Sequence, residues 1–275
     1  MIIFINFGKE SEDDGMERNF ILSRGELDTP CILREPDCGT PLRVVLEVHG
    51  FGGSMRDPLL DSIAEEMAMF GSVVLRFDLP AHGENLEDVM SLQNCVQTLL
   101  DVAEYAYEQY PKLEELCIFA SDFGAYVVLS AMHELQELPH RVRLVIQEPC
   151  MQMDQTVLDM ARVSLVTLEA MEWAVVPGER PIGITYSFFE ELRDNSTLAS
   201  YPIPFLILRG DCADISFPKQ VSAAAATDAD MVLIRKLVKE YCAAFSADCE
   251  EILDAPFTVI TPDNANPYKQ MYVAN

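Results

Sequence analysis

From residue 43 onward, short apolar segments rich in β-branched residues alternate with longer segments whose apolar residues recur at the helical period. This alternation constrains the chain more than any other feature. Parallel strands need long crossover connections and bury both faces, so the pattern calls for a parallel sheet with helices on either side. Strands are predicted at 43–48, 72–78, 116–120, 142–147, 205–209 and 257–261. Between the first two, Asp57 reads as a helix N-cap and Pro58 as a first-turn residue. Leu60, Ile63, Ala64 and Met67 share one face of that helix, and Gly71 closes it. A second helix is predicted over 91–110, with Leu92, Val96, Leu99, Ala103 and Tyr107 on one stripe and Pro111 as its stop. Upstream, 19–24 and 29–35 read as an antiparallel pair leading into the sheet.

Residues 151–203 break the rhythm with a helical stretch at 157–173, a Pro-Gly turn at 177–178 and a short helix near 187–193. An interval of that length between two strands is too long for an ordinary loop. It is expected to form a helical cap over the C-terminal edge of the sheet, with Trp173 in its interior and Met151 and Met153 on its underside. The fold expected is α/β: a mostly parallel, doubly wound sheet of about eight strands, with this inserted cap, in one domain spanning 1–275. At 275 residues, 49% of them hydrophobic, one core of adequate size can form.

Charge and cysteine usage narrow the function classes. With 19 basic against 45 acidic residues the formal charge is −26, a field that repels nucleic-acid phosphates and anionic lipid. Neither nucleic acid nor membrane is expected as a partner, and the apolar runs are too short to span a bilayer. The opening residues lack a basic stretch and a small-residue cleavage site, which places the protein in the cytoplasm. Eight cysteines lie at 31, 38, 95, 117, 150, 212, 242 and 249 without a CxxC pair, so they read as buried thiols. The four histidines lie at 49, 82, 133 and 140.

Three segments can carry chemistry. The strand at 43–48 runs into His49-Gly50-Phe51-Gly52-Gly53, a glycine-rich loop whose backbone N–H groups can turn toward a ligand. The next strand ends in Arg76-Phe77-Asp78-Leu79-Pro80-Ala81-His82-Gly83-Glu84-Asn85. The third, Ala120-Ser121-Asp122-Phe123-Gly124, has the form strand, small-x-Nu-x-Gly, helix, in which the flanking residues must be small because the central one sits on a very tight turn. Asp122 occupies that elbow.

Together these motifs resemble the α/β-hydrolase superfamily, most closely its small-esterase branch of cinnamoyl-esterase-like and serine-aminopeptidase-like proteins, over residues 19–270. The resemblance implies the α/β-hydrolase fold, with the backbone N–H groups of Phe51 and Phe123 forming an oxyanion hole supported by His49 and Gly50, and His82 near the pocket mouth. Pro204-Phe205-Leu206-Ile207-Leu208-Arg209-Gly210-Asp211-Cys212-Ala213-Asp214 resembles the family's later acid motif with one extra residue, which makes Asp214 the equivalent of the acid. Two positions depart from the family. Aspartate replaces the elbow serine, and Asn264 and Asn266 stand where a histidine follows the last strand.

A serine esterase needs an imidazole to move the hydroxyl proton, and asparagine cannot do so. The reading favoured is therefore a small-molecule-binding homologue with impaired or absent catalysis, its ligand apolar and uncharged, with no cofactor or metal. Alternatively Asp122 is itself the nucleophile, acting on small esters, haloalkanes or epoxides, with His49 or His82 as substitute bases. Taking Ser121 as nucleophile would put Phe119 and Phe123 at positions that must be small. Asp122, Asp214, His49 and His82 around a divalent ion match no metal-site spacing. The sequence leaves room for a homodimer.

Overall fold

The computed structural model describes residues 2–3, 17–25, 27–36, 41–85, 89–139, 141–150, 152–178, 180–195, 205–208 and 258–260. Its main sheet has nine strands: β1 (Ile2–Ile3), β2 (Glu17–Arg24), β3 (Leu27–Arg34), β4 (Arg43–Val48), β5 (Val73–Phe77), β6 (Glu115–Ser121), β7 (Arg141–Gln147), β10 (Phe205–Leu208) and β11 (Thr258–Ile260). They lie in the order β1-β2-β3-β5-β4-β6-β7-β10-β11. The five central strands, β5 to β10, are parallel. The flanks are antiparallel, including β11 against β10. About eight strands were expected from the pattern, and the two-residue β1 at the edge supplies the additional one.

Local chemistry accounts for the helices between the strands. The Asp57 side chain accepts from Leu59 N at 2.8 Å, Pro58 opens α1 (Pro58–Met69), and Gly71, at φ +77°, closes it by donating to Ala68 O. Leu60, Ile63, Ala64 and Met67 are buried as expected, together with Ala68. Ser91 caps α2 (Leu92–Gln109) through Asn94 N, and Pro111 follows its end. The core on the α2 side of the sheet gathers Val44, Leu46 and Val48 of β4 with Leu99, Val102 and Ala103 of α2. It also takes in Phe123 and Val127 of α3 (Asp122–Ser130), which is followed by the short α4 (Met132–Gln136).

Between β7 and β10 the chain departs from the expected single helix at 157–173. It forms α5 (Met153–Ala161) and α6 (Leu165–Met171), broken where Arg162 turns left-handed at φ 57° and Ser164 restarts the helix by accepting from Thr167 N. A hairpin of β8 (Trp173–Val176) and β9 (Ile182–Thr185) follows, then α7 (Tyr186–Asp194). Trp173 is 53% exposed, contrary to its expected place in the interior, because the alternation of β8 turns Ala174 and Val176 inward instead. Met153 is buried, while Met151 lies outside the described residues.

Long-range polar contacts attach this stretch to the sheet layers. Glu191 of α7 accepts from Leu92 N at 2.6 Å and Gln93 N at 3.2 Å, placing a carboxylate on the N-terminus of α2. Tyr126 of α3 donates its hydroxyl to Leu192 O, and Arg180 donates to Gly83 O and Asn85 O. Among the described residues no helix is long and apolar enough to cross a membrane.

Candidate functional site

The site lies where β4, β5, β6 and β7 end. β6 passes directly into α3 at Asp122, whose φ of 49° is the left-handed turn expected of the elbow. Ser121 remains extended at φ −120°, with Phe119 and Phe123 buried on either side, so the backbone assigns the turn to Asp122 and not to Ser121. The small neighbours are needed. A Cβ on Gly124 would stand 2.5 Å from His49 O and 2.6 Å from Val48 O, and one on Gly50 would stand 3.0 Å from Asp122 Cβ. Close approach of the glycine loop to the elbow depends on both.

That approach decides the chemistry. Phe51 N donates to Asp122 Oδ2 at 3.0 Å, and the nearby Phe123 N–H favours the charged carboxylate. Of the two N–H groups expected to form an oxyanion hole, that of Phe51 is taken up by Asp122 itself. An aspartate carboxylate carries two oxygens one bond beyond the place of a serine Oγ, and its charge is attracted to the N–H groups opening α3. The other oxygen, Oδ1, is buried and has no hydrogen-bond partner. Burial pushes the Asp122 carboxyl up to about 6, the Phe51 and Phe123 N–H bonds pull it back down, and the charge of Glu148 raises it.

The two histidines hold loops. His49 Nε2 accepts from Leu79 N at 3.1 Å, so the neutral ring carries its proton on Nδ1 and donates to Gly50 O at 2.8 Å. Burial holds its pKa down, although Asp78 lies 3.8 Å away and pulls the other way. Asp78 anchors the adjoining loops, accepting from Met55 N at 2.7 Å and Glu84 N at 2.6 Å. A Cβ at Gly83 would overlap its carboxylate.

His82 is buried, not open at a pocket mouth. Its Nδ1 donates to Pro80 O at 2.9 Å, its Nε2 has no partner, and burial lowers its pKa to about 3. Its ring packs with Phe51 at 5.3 Å and Phe123 at 6.2 Å, and Phe188 of α7 meets Phe123 edge-on at 6.3 Å.

Asp214, Asn264, Asn266 and Cys212 lie outside the described residues. Among the described residues no three His, Cys, Asp or Glu gather as ligands for a metal ion. Cys150 is buried beside Thr156, and burial pushes its thiol up to about 12, the state of an unreactive thiol.

No family model and no curated protein matches the sequence. Solved structures do. Est1E from Butyrivibrio proteoclasticus, with ferulic acid bound, superimposes with a TM-score of 0.69 over 83% of this chain and 99% of its own, at 16% identity. Alpha/beta hydrolase domain-containing protein 10 from mouse gives 0.62 over 83% and 99%, at 18% identity. The esterase domain of a Rhodothermus marinus protein gives 0.57 over 82% and 96%, at 20% identity. The chain has the α/β-hydrolase fold.

Within this α/β-hydrolase fold, sequence reasoning passed over several residues that shape the site. Glu148, left-handed at φ 45° just after β7, faces Asp122 electrostatically, and only the proximity of two strand ends could have signalled it. Phe188 and Arg180 reach the site loops from the stretch between β7 and β10, which periodicity does not foretell. Glu47 was legible as a lone charge in the apolar run of β4. It is fully buried with both oxygens unpartnered, and burial pushes its carboxyl well above the usual range against the pull of Arg76.

Proposed function

We propose that this α/β-hydrolase-fold protein binds a small, largely apolar molecule at the elbow and does not carry out serine-hydrolase chemistry. The observation that carries this reading is the hydrogen bond from Phe51 N to Asp122 Oδ2. In acyl transfer that donor must be free for the oxygen that becomes negative in the transition state. Here a carboxylate oxygen holds it, on the residue that would have to be the nucleophile. The absence of any histidine after residue 140 agrees with it, since both ring systems near the elbow are engaged in holding loops. In this reading the stretch at 151–203 is a cap, and Asp214 and Asn266 take no part in proton transfer.

The purified protein should show no turnover of 4-nitrophenyl acetate or butyrate and no labelling by a fluorophosphonate. Asp122→Ser alone should restore neither, for want of a base; combined with Asn266→His it should restore labelling if Asp214 orients the new imidazole. Robust ester hydrolysis by the wild type would overturn the reading.

The unpartnered Oδ1 supports one second reading. That oxygen could attack carbon in a haloalkane, displacing halide and leaving an ester on Asp122. Its test is a mass increment on the Asp122 peptide after incubation with a 1-haloalkane. An unmodified peptide eliminates it.

A further inference from the structure

Among the described residues, three side-chain atoms along this edge of the sheet are buried without a hydrogen-bond partner: Asp122 Oδ1, His82 Nε2 and Gln147 Oε1. All three are acceptors. His82 Nε2 is one because the neutral ring spends its proton on Pro80 O. Gln147 is paired in register with Ser121, immediately before the elbow, and His82 packs on the far side of the Phe51 ring. Three donors found here are already used: Phe51 N on Asp122, Leu79 N on His49, and His49 Nδ1 on Gly50 O. A buried polar atom left unmatched costs about 1–3 kcal/mol, so a site with surplus acceptors gains most from a ligand that brings donors.

We propose that the elbow takes a small apolar amine as its ammonium ion, the N–H groups donating to Asp122 Oδ1 and the hydrocarbon body lying against Phe51. This deepens the binding reading above and rests on it, and it replaces the uncharged ligand expected from sequence with a cation. Access fits. Gly50, Phe51 and Asp122 each keep part of their surface open and Gly52 is exposed, so a ligand can enter past the glycine loop. The overall charge of −26 steers cations toward the protein and carboxylates away. An ester or carboxylate would find no free donor among those named, and would set its own oxygens against Asp122.

Isothermal titration of the full chain at pH 8 with 1-hexylamine, 1-hexanol, hexanoate and hexyltrimethylammonium separates the possibilities. Hexylammonium is expected to bind at least tenfold more tightly than hexanol, with hexanoate undetectable. Hexyltrimethylammonium, which keeps the charge and lacks N–H groups, is expected to bind no better than hexanol. Asp122→Asn, its fold checked by circular dichroism, should reduce hexylammonium to the hexanol level. Equal binding of amine and alcohol, tighter binding of hexanoate, undiminished binding of the trimethylated ion, or no binding of the amine overturns the proposal. Ester turnover or fluorophosphonate labelling overturns the non-hydrolytic reading instead, whatever the amines do.

Discussion

Replacing Asp122 by asparagine removes the elbow charge while keeping an acceptor oxygen for the Phe51 N–H group and a residue type that tolerates the left-handed turn. The folded carboxyl sits at about 6 against an ordinary 3.8, so the native state holds this proton more tightly than the unfolded chain. Its contribution is fully present below the unfolded value and is lost as pH rises through the folded one. The displacement corresponds to about 3 kcal/mol in all, of which about 1.4 kcal/mol is lost between pH 5 and pH 8. These are upper figures, because Asp122 keeps part of its surface open to solvent. The asparagine variant carries no such titration. Its stability relative to wild type should therefore rise by about 1.4 kcal/mol from pH 5 to pH 8, or about 3–5 °C in melting temperature for a chain of this size. Urea unfolding followed by far-UV circular dichroism at the two pH values measures the difference directly. Parallel wild-type and variant curves across that range would refute the buried, desolvated carboxylate.

Glu47→Gln should gain on wild type by up to about 1.4 kcal/mol per pH unit above the ordinary 4.5, because burial raises the native carboxyl and its proton must otherwise be lost inside the core; the same urea series checks it. Glu191→Ala should cost about 1 kcal/mol by uncapping α2, with amide exchange quickening first at Leu92 and Gln93. Gly124→Ala should destabilise by about 3 kcal/mol or prevent folding, since its methyl meets the backbone carbonyls of Val48 and His49, and a melting temperature within 2 °C of wild type would count against the close packing of elbow and loop.

Much of the scaffold can be read along one dimension. The strand alternation, the Asp57-Pro58 opening and Gly71 closing of α1, and the Ser91 cap of α2 all act through local sterics or hydrogen bonds within a few residues, and the structure places them as expected. The elbow's motif is legible too, although what forbids a side chain at Gly124 is the backbone of Val48 and His49, far away in the chain. The stretch at 151–203 marks where local reading stops: apolar periodicity runs across Arg162, yet the backbone turns left-handed there, and Trp173 goes outward because the hairpin, not a helix, sets its facing. Tertiary structure alone decided what Asp122 does. Identity at position 122 is written in the sequence, but the state of its carboxylate depends on Phe51, carried in from β4, on Glu148 at the end of β7, and on how completely water is excluded. Glu191 capping α2 and Arg180 bonding Gly83 and Asn85 are of the same kind. Such contacts join segments far apart in the chain, so nothing in the local pattern encodes them, whereas the energy of a buried charge is set almost wholly by those distant neighbours.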